Sequence, residues 1–392
     1  MRIAHVITRM IVGGAQENTL LCCEDLMQHH GDEVLLVTGP ALGPEGDLLE
    51  QSRAGDAHGA VRPAVPVALI DSLRRSVDPW LDWKSYRELK RLLRDFRPDV
   101  VHTHSAKAGI LGRMAATALR VPAIVHTVHG APFHPYQSWL SQQAIIWAER
   151  FGARRCQRLV SVADAMTDLL VEAGVAPRDK FLTVYSGMDV EPFLAANEQR
   201  VATRRELGFE AQHVVIGKIA RLFHLKGHEY LIAAARGVIE RCPEVRFLLV
   251  GDGILRAELE REIARLGLTE HFCFTGLVPP GRIPALLGAM DVLAHVSLRE
   301  GLARALPQAL LAGKPVVSFD VDGAREVAIS GETGFLIPAC GVQPLADALT
   351  TLALDAPLRA RLGQGGRARF ADQFRHETMT RRLRELYQKL LD

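Results

Sequence analysis

The chain has 392 residues, 48% of them hydrophobic and 23% charged, with a formal net charge of +2. That length exceeds the roughly 250–300 residues a single hydrophobic core supports, so two domains are expected. The near-neutral balance excludes the strong basicity of a dedicated nucleic-acid binder, and no nucleic-acid partner is expected.

The six cysteines (Cys22, Cys23, Cys156, Cys242, Cys273 and Cys340) are scattered, with no Cys-x-x-Cys and no His/Cys cluster. Reduced thiols account for that pattern better than disulfides or zinc. The opening MRIAHVITRM reads as strand and lacks a signal peptide's apolar core and cleavage site. No run reaches the ~20 apolar residues of a membrane span. A cytoplasmic protein is expected, meeting a membrane only at its inner face.

Short apolar runs alternate with longer helical patterns along the whole chain. RIAHVIT, EVLLVTG, DVVHTH, AIVHTVHG, RLVSV and FLTVYSG read as one series of strands. VVIGKIAR, VRFLLVGDG, HFCFTG, DVLAHVS, KPVVSFD and GFLIP read as a second. Many are apolar on both faces, as strands covered by helices on each side must be. Repeated βα units predict an α/β protein of two Rossmann-like, doubly wound parallel-sheet domains facing a cleft. The expected division is residues 1–190, a linker at 191–207, residues 208–374, and a final amphipathic helix at 375–392. Residues 40–79 carry the weakest pattern and read as loop with one short strand, VPVALI.

Ligands of open α/β sheets sit at the carboxyl ends of the strands, so the motifs just after strands matter most. The first strand leads into Gly13-Gly14 and a helical run, which places backbone N–H groups at a helix start, a natural anion site. A tight βα turn explains the same residues equally well. Gly-x-Gly-x-x-Gly is absent, which counts against a nicotinamide dehydrogenase.

VHTHS carries His102 and His104, and HTVHG carries His126 and His129. Alternate histidines on a strand share a face and could form a metal pair, but no carboxylate or cysteine lies beside them at ligand spacing. No metal is expected. His129 precedes Gly130 where the strand opens into loop, a place for hydrogen bonding to a substrate oxygen or phosphate.

In VVIGKIARLFHLKGHEYLIAA, Arg221 ends a strand and Lys226 begins the next helix beside Gly227. Two cations there suit a diphosphate that gains charge as it leaves. LLVGDG places Gly251 and Gly253 in another strand-to-glycine turn, which is weak alone.

SLREGLARALPQALLAGKPVV is the most informative segment. Glu300 can accept hydrogen bonds from sugar hydroxyls, and Gly301 lets backbone approach a ligand. A helix is expected from about Pro307, with Gln308 on its first turn able to both donate and accept. Asp320-Val-Asp322 could hold a divalent cation on a diphosphate, although an acidic turn capping the next helix explains it as well.

Taken together, these segments resemble glycosyltransferase family 4, retaining enzymes of the GT-B architecture. The resemblance rests on GGAQ at 13–16, HTVHG, IARLFHLKGH, VGDG, FTG ending at Gly276, EGLARALPQALLAGKPVV and TGFLIP, and spans nearly the whole chain. It implies that Arg221 and Lys226 grip the donor diphosphate. It implies that Glu300, with backbone at Gly301, Leu302 and Ala303, binds the transferred sugar. Gly14 would lie against the diphosphate and His129 near the sugar. The family's second glutamate, a ribose ligand, falls at Gln308, an uncharged departure.

VHTHSAKAGILGRMAA followed by HTVHG resembles bacterial members that build surface polysaccharides or lipid-linked oligosaccharides. That likeness implies a UDP-linked donor, an N-acetylhexosamine in particular, a glycan or lipid-linked acceptor, and no cofactor beyond the nucleotide sugar. A nucleotide-sugar epimerase of the same architecture, or an inactive sugar-nucleotide-binding protein, are the rival readings. QSWLSQQAIIWAERFGARRCQRL combines Trp139, Ile145, Ile146 and Trp147 with four arginines, and reads either as a helix on an anionic membrane surface or as a core-packed helix. In the family, a last helix such as HETMTRRLRELYQKLLD crosses back to the N-terminal domain.

Overall fold

A computed structural model describes residues 1–42, 46–53, 64–133 and 137–392. Part of the stretch 40–79, read above as loop, lies outside these residues. The chain divides into two compact units: Met1–Met188 with Gln373–Asp392, and Asp189–Asp372.

The first unit holds strands β1 (Arg2–Arg9), β2 (Glu33–Gly39), β3 (Val67–Leu69), β4 (Val100–His104), β5 (Ala123–Val128), β6 (Arg158–Ser161) and β7 (Phe181–Thr183). They form one sheet in the order β3-β2-β1-β4-β5-β6-β7, with every pairing parallel. Between them run α1 (Gly14–Gln28), α2 (Leu48–Arg53), α3 (Pro79–Phe96), α4 (Ala106–Ala118), α5 (Trp139–Ala153) and α6 (Asp164–Glu172). The order reverses direction at β1 and β4, the switch point where such sheets take ligands. Local chemistry sets the helix starts. Asp78 caps α3 by accepting from the N–H groups of Trp80 and Leu81, each at 3.0 Å, and Pro79 follows as a first helical residue with no N–H to lose.

The second unit contains helices α7 (Glu191–Leu194) and α8 (Arg200–Glu206), strands β8 (Val214–Ile219), β9 (Val245–Val250), β10 (Phe272–Gly276), β11 (Val292–His295), β12 (Val316–Phe319) and β13 (Gly334–Ile337). Their order is β10-β9-β8-β11-β12-β13, again parallel. Helices α9 (His228–Arg241), α10 (Arg256–Arg265), α11 (Ile283–Ala289), α12 (Ala305–Leu311), α13 (Val342–Leu354) and α14 (Ala356–Phe370) cover it. The expected linker at 191–207 is helical and packed in this unit. Half-buried Arg200 and buried Arg204 both bond the Asp291 carboxylate, at 2.6 and 3.2 Å, because a guanidinium withdrawn from water needs an anion to face.

Each strand coincides with an apolar run recognised in the sequence, VPVALI included, with β1 running one residue further to Arg9. The final helix α15 (His376–Leu391) belongs to the first unit. Its Met379, Leu383, Leu386 and Tyr387 join a core with Ile3, Leu26 and Val100. Buried Asp25 on α1 fastens it by accepting from His376 Nδ1 and Thr380 Oγ1, both at 2.8 Å.

Candidate active site

The second unit gathers the charged residues singled out in the sequence. Strand β8 ends at Ile219 and the chain turns through Arg221, which is exposed with its guanidinium 5.0 Å from the Phe223 ring centre. The turn closes on Gly227, the N-cap of α9, at φ 71°. A Cβ at that position would lie 1.8 Å from the Val296 carbonyl oxygen, so only glycine allows this turn to press against the end of β11. Among the described residues no side chain caps α9, so its first N–H groups stay open to an anion.

Lys226, one residue before that cap, reaches Glu300 with Nζ 2.5 Å from Oε1. Burial acts to raise the Glu300 carboxyl, but the Lys226 ammonium, helped by His295, overcomes it and holds the pKa below the ordinary value. Glu300 is therefore a carboxylate at neutral pH. Its own N–H donates to Asp322 Oδ2 at 2.6 Å, and Gly323 N–H donates to the Gly301 carbonyl at 3.0 Å, which ties the EG turn to the loop after β12. Asp320 instead pairs with Arg325 at 2.9 Å. The two carboxylates that could have shared a cation thus serve two different partners.

Gly251 and Gly276 meet, with Gly251 N–H donating to the Gly276 carbonyl at 3.1 Å. A Cβ on Gly251 would strike the Ala220 carbonyl at 2.2 Å, so glycine here lets β9 approach the β8 turn. Leu302 and Ala303 carry the chain from the EG turn into α12, where Ala303 is buried. Helix α12 begins at Ala305 rather than at Pro307. Pro307 still falls in the first turn, where no intrahelical N–H is required, and Gln308 follows half-buried.

Sequence reading missed three buried groups beneath this surface. Lys218, midway along β8, is fully buried, and its Nζ has no hydrogen-bond partner among the described residues. Burial, reinforced by Lys226, lowers its pKa to about 7. His228 and His295 are likewise buried, and burial is the main cause that lowers each to about 3. The signal was a charged residue inside an otherwise apolar strand, VVIGKIAR, and a histidine in DVLAHVS.

In the first unit, Gly14 begins α1, and Gly13 is its N-cap with no side-chain cap. His102, His104, His126 and His129 lie on and just beyond β4 and β5, and His5 on β1 joins them unforeseen. His5, His102 and His104 bring ring nitrogens within 4.8 Å of one another, the one such group among the described residues that could hold a metal ion. Within the group, His5 Nδ1 and His104 Nε2 lie 3.0 Å from each other, while His102 faces Tyr387 Oη at 2.5 Å and Thr127 Oγ1 at 2.7 Å. His126 points to the other face of the sheet, against Thr103 Oγ1 at 2.9 Å.

The chain's four tryptophans, Trp80, Trp83, Trp139 and Trp147, sit on α3 and α5 and are 48–69% exposed. Ile146 alone of the apolar α5 residues named above turns fully inward, so the core-packed reading of that helix holds only for one face. Among the described residues no helix is long and apolar enough to cross a membrane.

Known proteins supply a frame for this geometry. Residues 199–369 match the family described as glycosyl transferases group 1, and residues 13–187 match the glycosyl transferase 4-like domain. The Escherichia coli UDP-Gal:alpha-D-GlcNAc-diphosphoundecaprenol alpha-1,3-galactosyltransferase is 28% identical over 99% of this chain and 96% of its own. The 2-deoxystreptamine glucosyltransferase of Streptomyces kanamyceticus is 32% identical over 73% of this chain and 76% of its own. Among solved structures, Anabaena HepE in complex with UDP superposes with a TM-score of 0.82 at 25% identity, covering 99% of this chain and 100% of that one.

Proposed function

Since the chain belongs to the group 1 glycosyltransferases with a 4-like N-terminal domain, we propose that it moves a hexose or N-acetylhexosamine from a UDP-linked donor to a saccharide or lipid-linked acceptor, with retention and without a metal ion. The observation that carries this reading is the Lys226–Glu300 pair, with Arg221 on the same turn that leads into α9 and no side-chain cap at the start of that helix among the described residues.

As the glycosidic bond loosens, negative charge grows on the departing diphosphate. Arg221 meets it with a planar fork, Lys226 with a mobile point charge, and α9 with backbone N–H groups. This set supplies the charge a bound cation would otherwise provide, which is why the reading does without one. Glu300, relieved of Lys226 by the competing diphosphate, accepts hydrogen bonds from sugar hydroxyls, with the Gly301 to Ala303 backbone beside it. Gln308 binds the ribose diol through its amide. The acceptor attacks from the face the diphosphate leaves, and a phosphate oxygen takes its proton.

UDP as the nucleotide is supported by the UDP complex of the Anabaena structure. A lipid-linked acceptor is supported by the near full-length likeness to the Escherichia coli enzyme named for a diphosphoundecaprenol substrate. The exposed tryptophans of α3 and α5, with exposed Lys84, Arg87, Arg91, Arg150 and Arg154, suit the headgroup region of an anionic membrane at the cytoplasmic face.

The test is a thermal-shift screen of UDP, GDP, ADP and their common sugars, with EDTA and with magnesium. A ligand that binds only the folded chain must raise its melting temperature. A shift confined to UDP compounds, equal under both conditions and lost in Arg221→Ala and Glu300→Ala, is the expected result. No shift with any nucleotide sinks the reading, and a shift that requires magnesium sinks its metal-free part.

A further inference from the structure

The family resemblance places His129 near the transferred sugar; we propose that His104 and His5 are positioning residues that fix its tautomer, so that it presents an Nδ1–H donor to a substrate oxygen. The inference rests on the sugar-transfer reading only for the identity of that substrate.

The arrangement follows from strand register. In a parallel sheet, paired residues point to the same face, and so do residues two apart on one strand. His5 on β1 pairs with His102 on β4, and His104 pairs with Thr127 on β5. His5, His102, His104 and Thr127 therefore share one face, and His129 continues it two residues past Thr127. On that face, His5 Nδ1 lies 3.0 Å from His104 Nε2, and His104 Nδ1 lies 3.0 Å from His129 Nε2. Three imidazoles are thus joined in a row from the core to the carboxyl edge of the sheet. His102 is held outside the row by Tyr387 and Thr127.

Burial lowers the pKa of His5 to about 3 and of His129 to about 4, and pushes His104 well below the ordinary value, so all three rings are neutral near pH 7. A neutral imidazole has one N–H donor and one acceptor nitrogen. Two hydrogen-bonding patterns are then possible, with every proton directed either outward to His129 or inward to His5.

The far end of the row decides between them. His5 Nε2 is buried with no hydrogen-bond partner among the described residues. The inward pattern puts an N–H on that atom, and an orphaned buried N–H is the costlier and rarer defect. The outward pattern leaves only a lone pair there. So His5 Nδ1–H donates to His104 Nε2, and His104 Nδ1–H donates to His129 Nε2. The His129 proton must then sit on Nδ1. Among the described residues Nδ1 of His129 has no protein partner, and the residue is half-buried where β5 opens into loop. A donor at that place recognises a lone pair on a sugar or phosphate oxygen and rejects a cation.

The experiment labels the full chain with ring-15N histidine and reads long-range proton–nitrogen correlations, assigning His129 by the signal lost in His129→Asn. The expected result is a protonated Nδ1 and an unprotonated Nε2 on His129, with the same tautomer on His104. A protonated Nε2 on His129 overturns the proposal, and this measurement needs neither a variant at His104 nor any catalytic activity. A stoichiometric metal ion that co-purifies and is lost in His104→Leu also overturns it, because a metal-bound nitrogen cannot accept.

The positioning role has its own arm. His104→Leu should lower kcat about tenfold, the worth of one orienting hydrogen bond, with the KM for the donor within about twofold. His104→Asn should recover most of that loss, since its amide N–H can donate from nearly the same place. Equal kcat in His104→Leu and the unaltered chain would remove the role while leaving sugar transfer intact.

Discussion

Lys226 and Glu300, 74 residues apart in the chain, are joined by an ion pair of 2.5 Å between Nζ and Oε1. The pair sets Glu300 as a carboxylate and holds Lys226 at the start of α9. Glu300→Gln keeps the shape and one acceptor but loses a charge-assisted hydrogen bond of about 1.5–3 kcal/mol. We expect kcat/KM for sugar transfer to fall about ten- to hundredfold, measured by steady-state kinetics with UDP-sugar.

The same pair has a pH signature. The folded pKa of Glu300 lies below the ordinary 4.5. Its stabilisation is therefore complete above the unfolded value and lost as pH falls through the folded one. The melting temperature of the unaltered chain should exceed that of Glu300→Gln at neutral pH, with the difference shrinking below about pH 4.5. A difference that grows in acid would contradict the assignment.

Lys218 runs the other way. Its pKa drops from 10.5 to about 7 because burial disfavours the ammonium. Between those values the unfolded chain binds a proton that the folded chain does not, so stability falls as pH falls across that window. Lys218→Met should raise the melting temperature at pH 7, and the gain should fade as pH approaches 10.5. Destabilisation at pH 7 would show that the ammonium is satisfied in the fold.

Gly227→Ala places a methyl 1.8 Å from the Val296 carbonyl at a φ of 71°. The left-handed conformation alone costs about 1–2 kcal/mol, and the clash forces the Lys226 turn to move. The variant should unfold at lower urea and lose the melting shift with UDP. Ala at Gly267, where φ is also positive but nothing lies within 4 Å, should unfold earlier yet keep that shift.

Asp25 is 3% exposed and accepts from His376 and Thr380 on α15. Asp25→Ala leaves those donors facing an apolar pocket and should cost about 3 kcal/mol in urea unfolding. The loss should come from the transition reported by Tyr387 burial in the first unit.

Vesicles test the membrane surface. With four tryptophans 48–69% exposed, contact with anionic lipid should shift their fluorescence to the blue and co-sediment the chain, and salt should reverse both. No binding to anionic vesicles removes this surface from the proposal.

Much of this was legible in the amino-acid order. Strands buried on both faces need apolar runs, so VRFLLV and EVLLVTG were legible as β9 and β2, and the alternation of such runs with helical patterns pointed to the parallel α/β class. Glycines and charges directly after strands marked the candidate ligand edge, because a parallel sheet exposes loops and helix N-termini at the carboxyl ends of its strands. The helical packing of 191–207 was not legible, since its support is Asp291, far along the chain.

What only the tertiary structure decided are relations between distant residues. Strand order put β1 beside β4 and so brought His5 to His104, although they lie 99 residues apart. Tyr387 reaches His102 across 285 residues because α15 packs on the first sheet. Lys218 is an ordinary lysine in the sequence, and only burial beside Lys226 makes it a neutral-range titrating group. A side chain's residue type sets the chemistry it can perform, whereas its protonation and partners depend on what the folded chain places within a few ångströms, and no local pattern encodes that.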